Sequence, residues 1–560
     1  MDAGPTVKDP KNKFFVESAK EYGLEGVTAT HLYAVDFNND GYSDLVVLSG
    51  HYSAPEFFQF DKSEKRFKKL ENSPLEAKIR ASFLVFADLD RDGILDLLVG
   101  TLNQKTELAK HPLRLFKGRI QSGQTIYNEV LGAFTKNQRP TASIGLLDYN
   151  LDGNLDLYQG NWFDFKTERP RPIPDKIFRG SGLRFSPVKG ILEKEARLNK
   201  RIGIFPNARP TFGVSTCDLD QNGYPDVLTA ASSGHANKLW MNVLHRETGT
   251  RIYRDYGKDS GYAGDADGIF DSLSGGNTFF STCADYNNDG IMDLAVGELY
   301  HSYDNESKDR SSILTGSRPY FPPKFIRTEY DRDYSKESWS QGDRRGVWFD
   351  YDNDGYTDLL IDNSGFPPHS RLILFHQVAS GEYKNSYENV STELGLDLLN
   401  PSGTIVIDLN QDGRLDFISG QTNTRNANIP RKLYVFENRT PTKTRKALRF
   451  YLVGKQSNRK GLGAMVILKS KEYTARRWVE YSGGSLPSQN EEGIHFGFEK
   501  KNPVSSVSVR WPFAKKDKAG RSKPPLVKYD LSKQKLGSYT ELTLCENGKL
   551  VKGRNSNCEI

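Results

Sequence analysis

Cysteine is scarce in this chain, four in 560 residues, and neither a Cys-x-x-Cys pair nor a Cys/His zinc spacing occurs. That argues against a structural zinc site or a dithiol redox centre. Long hydrophobic runs are missing too: no stretch reaches 18 apolar residues, and mean hydropathy is −0.62. The longest, such as Leu97-Leu98-Val99, are strand-sized, so no helical membrane span is encoded. Gly-x-Ser-x-Gly and His-Glu-x-x-His are absent, and no nucleic-acid-binding module is recognisable. Arg459-Lys460-Gly461-Leu462-Gly463 lacks the Gly-Lys-Ser/Thr ending of a phosphate loop. What the chain does have is glycine (50), proline (26) and 11% aromatics, a composition that suits a turn-rich, all-β protein.

Aspartate is present in a pattern. Asp350-Tyr351-Asp352-Asn353-Asp354-Gly355-Tyr356-Thr357-Asp358-Leu359 reads D-x-D-x-D-G-x-x-D-L. Ca2+ is a hard cation that takes about six to eight oxygens, and alternate side chains of a tight turn supply them. Asp350, Asp352 and Asp354 would ligate at loop positions 1, 3 and 5, the carbonyl of Tyr356 at 7, and Asp358 at 9. Gly355 makes a sharp turn that a residue with a Cβ adopts only at a cost. An EF-hand would close with Glu at position 12 between two helices. Here the flanks, Val347-Trp348-Phe349 and Leu359-Leu360-Ile361, suit buried strands.

One copy has a second reading as an Asx-turn, but the motif recurs six more times. The further sets are Asp36, Asn38, Asp40, Tyr42 and Asp44; Asp88, Asp90, Asp92, Ile94 and Asp96; and Asp148, Asn150, Asp152, Asn154 and Asp156. They continue with Asp218, Asp220, Asn222, Tyr224 and Asp226; Asp285, Asn287, Asp289, Ile291 and Asp293; and Asp408, Asn410, Asp412, Arg414 and Asp416. Every copy keeps oxygen side chains at 1, 3, 5 and 9 and Gly at 6, and first-Asp spacings run from 52 to 70 residues. Turn chemistry alone does not explain that constancy. The expectation is up to seven Ca2+, one per repeat.

Repeats of this length signal a propeller or an array. The first unit reads as strands Leu32–Phe37, Ser43–Leu48, Phe57–Phe60 and Arg66–Leu70, with the loop between the first two. Third strands recur at Leu113–Phe116, Lys238–Met241, Leu372–Phe375 and Lys432–Phe436. Four strands in each of seven units give a seven-bladed β-propeller over 1–440. The last unit lacks an outer strand and the chain start has a spare one, so Phe14–Glu17 is expected beside Lys432–Phe436. Two long connections, Arg246–Asn277 (containing Asp265-Ala266-Asp267-Gly268) and Arg310–Arg345, stand out.

After a basic, Pro-containing linker near Arg439–Lys446, a small β-rich domain is expected over 441–560. Its strands read as Phe450–Val453, Ala464–Lys469, Trp478–Tyr481, Ile494–Phe498 and Val507–Trp511, and Lys515–Lys523 as a hairpin tip. Cys217 directly precedes, and Cys283 nearly precedes, a loop Asp in separate blades, and both are expected as buried thiols. Cys545 and Cys558 flank the turn dipeptide Asn547-Gly548, which leaves a disulfide open to them.

The loops resemble FG-GAP/VCBS repeats, and the tail resembles the ASPIC/UnbV domain. The tail resemblance rests on Leu452-Val-Gly454-Lys-Gln-Ser457-Asn458-Arg459-Lys-Gly461-Leu-Gly463, Ser488-Gln489-Asn490, His495-Phe496-Gly497 and Val509-Arg-Trp511-Pro512. The combination is similar to the cartilage acidic protein-like family, which implies a secreted, calcium-binding scaffold or adhesion role and no reaction. Phe513 and lysines follow Trp511-Pro512 where the family often has Ser-Gly, and this chain is basic, at +6. Seven divalent ions would raise that charge to +20, which favours anionic partners.

Weak modular calcium sites operate where calcium is millimolar, outside cells. Met1-Asp2-Ala3-Gly4-Pro5 shows no secretory leader, so the chain is read as a mature form that is secreted, periplasmic or on the cell surface. The functional expectation is a non-catalytic binding or adhesion scaffold for a protein or glycan ligand. It would bind on the face opposite the loops, which carries His51, Tyr52, Asn103, Trp162, His235, Tyr300, His301, Phe366 and Asn423. The alternative is a calcium-assisted lyase or hydrolase acting on an acidic polysaccharide.

Overall fold

The computed structural model describes residues 14–76, 78–102, 113–134, 140–164, 170–195, 197–201, 203–264, 276–300, 309–329, 341–379, 381, 384–516, 522–554 and 558. Seven four-stranded antiparallel sheets form blades 1 to 7. Their inner strands are His31–Val35, Phe83–Ala87, Thr141–Leu147, Thr211–Cys217, Thr278–Ala284, Gln341–Phe349 and Pro401–Ile407. Every second strand begins at the ninth-position Asp of its loop, at Asp44, Asp96, Asp156, Asp226, Asp293, Asp358 and Asp416. Burial explains the residue types. His31–Val35 and Asp44–Leu48 are buried throughout, whereas in the outer strand Arg66–Lys69 only Phe67 is buried.

Apolar layers between sheets hold the ring. Tyr33, Val46 and Phe57 of blade 1 pack with Leu84, Leu97 and Phe116 of blade 2, and Leu32 and Leu45 pack with Ile405, Ile418 and Val435 of blade 7. The ring is therefore continuous from blade 7 to blade 1. Phe15–Glu17 pairs antiparallel with Leu433–Asn438, Phe15 opposite Asn438, as the spare strand required. Phe15 and Tyr387–Asn389 occupy the same outer position in successive blades and lead into matching turns, with Leu24 N–H on Ala19 O at 2.7 Å and Leu396 N–H on Ser391 O at 2.8 Å.

The second domain is a sandwich of two four-stranded sheets. One is ordered Ile494–Glu499, Arg445–Val453, Tyr539–Cys545, Leu550–Lys552, and the other Thr474–Trp478, Met465–Lys469, Ser506–Arg510, Leu526–Asp530. Phe450, Phe496, Val466, Val507 and Trp511 fill the space between them. Lys515–Lys516 and Ser522–Lys523 form the expected hairpin.

Two expectations are corrected. Cys217 and Cys283 are joined in a disulfide, because the inner strands of blades 4 and 5 run side by side, with Ser215 Oγ donating to Ser281 O, and bring their Cα atoms to 6.5 Å. The strand placed at Trp478–Tyr481 runs instead from Thr474 to Trp478. The chain then leaves the sandwich for a hairpin, Ser482–Ser485 and Ser488–Gln489, inside the propeller. Cys545 and Cys558 are also bonded.

Phe15 is 3% exposed and lies 5.1 Å from the ring of Phe417. Phe15→Ala is expected to lower unfolding stability by about 3 to 5 kcal/mol in denaturant titration. An unchanged midpoint would contradict closure through this strand.

Candidate cation loops and channel mouth

The seven loops share one geometry. The position-4 residue is left-handed in each, from Asn39 (φ 59°) to Gln411 (φ 56°), and the position-6 glycine follows at φ 83° to 95°. That glycine donates its N–H to the position-1 carboxylate, at 3.0 Å for Gly41 on Asp36 and 2.7 Å for Gly153 on Asp148. The equivalent bonds to Asp88, Asp218, Asp285, Asp350 and Asp408 span 2.9 to 3.2 Å.

The ninth-position Asp does more than face the loop. One oxygen accepts an N–H from the third strand of its own blade, from Phe60, Gly118, Gly180, Asn242, Gly316, Gln377 and Asn438 in turn. In loops 2 to 7 the other accepts the N–H at position 2, from Leu89, Tyr149, Leu219, Tyr286, Tyr351 and Leu409. Each of these Asp residues clasps its blade together.

The donor set fits a hard divalent cation. Asp218, Asp220 and Asp226, then Asp350, Asp352 and Asp358, each bring three ligand atoms within 4.8 Å; Asp88, Asp90 and Asp96 are gathered as closely, but with the Lys117 ammonium on Asp90 and Asp96. Asp352, Asp354 and His376 form a further set. Buried oxygens of Asp44, Asp88 and Asp218 have no hydrogen-bond partner. Burial, then repulsion from Asp152, pushes the Asp148 carboxyl up to about 8, and burial with repulsion from Asp148 does the same to Asp156. Groups so strained when ionised ask for positive charge.

The sandwich supplies part of it. It covers the loop end of the propeller and sends a guanidinium to a loop acid in five blades. Arg554 reaches Asp36 at 3.0 Å, Arg510 reaches Asp218 at 2.8 Å and Arg476 reaches Asp285 at 3.3 Å. Arg445 reaches Asp352 at 2.6 Å and Arg449 reaches Asp408 at 3.8 Å. Loop 3 takes the N–H of Ala514 on Leu151 O. The cap sits so close that a Cβ on Gly153 would stand 2.0 Å from Gln456 O, and one on Gly355 2.0 Å from Tyr473 Oη. Position 6 is glycine here for the approach of the cap as well as for its φ.

The channel hairpin completes the union. Gly484 and Ser485 pair with Val214 and Gly213 on the blade 4 inner strand, and Gln489 lies parallel to Tyr33 on blade 1. The Gln489 side chain accepts from Phe86 N–H at 3.0 Å and donates to Phe86 O at 3.1 Å. Glu480 accepts from Thr216 N–H at 2.8 Å and from its hydroxyl at 3.1 Å, and burial pushes its carboxyl up to about 8.

Leu486, at the hairpin tip, reaches a cavity of about 500 Å³ at the mouth away from the loops. His31, His51, Tyr52, Trp162, Phe212 and Phe279 line it. Phe212 bridges Trp162 (5.4 Å) and Phe279 (4.8 Å) edge to face. Burial disfavours the charged form of both rings, pulling His51 down and His31 down to about 3. Arg345 lies beneath, donating to Thr404 O at 2.6 Å and Gly483 O at 3.2 Å. Asp362 accepts the Thr404 N–H at 2.9 Å.

Of the face expected to bind ligand, His51, Tyr52 and Trp162 line this cavity; His235, Phe366 and Asn423 are not among its lining residues. Phe366 instead packs under Arg425, 4.3 Å from its ring centroid. Asn103, His301, the Tyr300 side chain and Asp265–Gly268 lie outside the described residues. Sequence reasoning missed Phe212, Phe279 and Leu486. The first two were legible as the repeated Thr-Phe that opens inner strands, at Thr211-Phe212 and Thr278-Phe279.

Fold and loops define a class: a seven-bladed propeller with one Asp-rich loop per blade, capped by a β-sandwich at the loop end. Residues 24–99 match the FG-GAP-like repeat family, and residues 454–524 match the ASPIC and UnbV family. The chain is similar to human (Homo sapiens) cartilage acidic protein 1, 23% identical over 508 residues that cover 86% of this chain and 68% of that one. Among solved structures, it is similar to an Agrocybe aegerita lectin described as recognising non-reducing terminal N-acetylglucosamine, at TM-score 0.38 and 13% identity over 65% of this chain and 80% of that one. A rhamnogalacturonan lyase aligns at TM-score 0.30 and 14% identity over 75% and 91%. Neither likeness bears on activity.

An acid whose folded pKa lies above its unfolded value lends stability that is full at low pH and is lost as pH rises through the folded value. Glu480 is such an acid, with about 8 in the folded chain. The melting temperature is expected to fall more steeply between about pH 5 and about pH 8 in the parent than in Glu480→Gln. Parallel curves would contradict this placement of Glu480.

Proposed function

We propose that this protein is an exported, calcium-binding β-propeller that acts as a non-catalytic scaffold for a protein or glycan ligand. Calcium, held by the loop side chains at positions 1, 3, 5 and 9, supplies charge neutralisation at the capped end. Two disulfides and the FG-GAP-like repeat suit an oxidising, extracellular-type compartment.

The observation that carries the binding reading is the aromatic cavity at the uncapped mouth. The loop end is covered by the sandwich, so a ligand approaches from the other side. There Tyr52, Trp162, Phe212 and Phe279 offer flat apolar faces beside the hydroxyls of Thr30, Ser82 and Ser488, a mixture that suits a sugar ring or an aromatic-bearing peptide. The lyase or hydrolase alternative asks for a free acid and base at the mouth. Asp362 is held by Thr404, and both histidines are desolvated.

Glycan and protein arrays probed with the parent and with Trp162→Ala test the reading. Hits are expected with the parent and are expected to weaken at least tenfold in the variant, which keeps its melting temperature. Turnover of an arrayed acidic polysaccharide, or hits indifferent to Trp162, would overturn it.

A further inference from the structure

The seven loops are alike in backbone but not in what stands over them. The residue just before each third-strand N–H that bonds the ninth-position Asp occupies one equivalent place in every blade. It is Gln59, Lys117, Arg179, Met241, Thr315, His376 and Glu437 in order. In blade 2 this residue brings a cation into contact with three loop carboxylates at once. Lys117 Nζ lies 2.7 Å from Asp90, 2.6 Å from Asp92 and 3.4 Å from Asp96, with its side chain only 11% exposed. These are the acids at positions 3, 5 and 9. Arg179 offers a contrast: its side chain is 57% exposed and its one ion pair is with Asp152, at 2.7 Å. His376 hydrogen-bonds Asp358 at 3.0 Å and has Asp352 and Asp354 within 4.8 Å, but with one ring nitrogen on a loop acid it does not span positions 3, 5 and 9 as Lys117 does.

We infer that loop 2 is a calcium loop with a built-in cation, in which the Lys117 ammonium takes the place of a metal ion. The inference rests on the calcium reading of the other loops. An ammonium has three donors and one positive charge, and here they go to three carboxylates. A calcium ion needs oxygens at about 2.3 to 2.6 Å. It cannot share the same three oxygens with an ammonium already in hydrogen-bond contact, since the two like charges would then stand within a few ångströms of one another. The chain therefore takes six calcium ions, and the ordering of blade 2 does not depend on free calcium. A lysine tethered by its backbone neither dissociates nor responds to dilution, so one blade stays fixed while the others follow the metal.

Counting bound calcium tests this. The full chain is stripped with chelator, dialysed to equilibrium against saturating calcium and assayed by plasma emission, with the dialysate subtracted. Six ions per chain are expected for the parent, seven for Lys117→Met and five for Asp354→Ala. Seven in both the parent and Lys117→Met, with six in Asp354→Ala, would overturn the role of Lys117 and leave the calcium reading intact. No calcium in any of the three would overturn the calcium reading, and this inference with it. Should Lys117→Met not fold, hydrogen exchange of the unaltered protein decides. Protection of residues 88–96 is expected to survive chelation while that of 350–358 falls; equal loss in both loops would contradict the assignment.

Discussion

Negative charge gathered at one end of a ring is the constraint on which this structure depends. Seven loops bring 23 of the chain's 71 acidic residues to the same end, and the position-1 and position-9 carboxylates are buried. Ionised carboxylates out of water and beside one another are costly. The protein meets that cost with protein cations as well as with the oxygen geometry of a metal loop. Guanidiniums arrive from the sandwich in blades 1, 4, 5, 6 and 7, and an ammonium from within blade 2. The sandwich is thus part of the propeller's electrostatics. Removing one member of such a buried pair costs about 3 to 5 kcal/mol, because the other is left bare.

The same arrangement revises what the basic composition means. A net charge of +6 suggests a field that draws anionic partners, and filled calcium sites would enlarge it. Yet Arg445, Arg449, Arg476, Arg510 and Arg554 are engaged with loop acids at the domain boundary. Their charge is spent inside the molecule. The open mouth is lined by aromatic rings, imidazoles and hydroxyls, with Arg344, Arg345 and Asp362 among them.

What was legible in the sequence is what local chemistry repeats. An Asp-x-Asp/Asn-x-Asp/Asn-Gly-x-x-Asp run forces its own turn, so the loops, the strands beside them and the seven-fold count could be read, and the spare strand at Phe15 followed from counting. A part of the mouth was legible as well, through His51, Tyr52 and Trp162 on second-to-third-strand connections. The hairpin in the channel was not. Gly483-Gly484-Ser485-Leu486 looks like an ordinary turn, and only the distant strands at Tyr33 and Val214 make it a plug. The Cys217–Cys283 bond was misread for the same reason, since the spacing of neighbouring inner strands is set by the ring and not by anything near either cysteine in sequence. The arginines of the cap carry no mark in the sequence. Each acquires its role from a loop up to 518 residues away, as Arg554 does from Asp36.

The central claim is that loops, cap and channel hairpin form one electrostatically coupled unit. Differential scanning calorimetry of the full chain, in calcium and in chelator, tests it most directly. A single cooperative transition in calcium, moving to markedly lower temperature on chelation, is the predicted result. Two transitions that are unmoved by chelator, one for each domain, would contradict it.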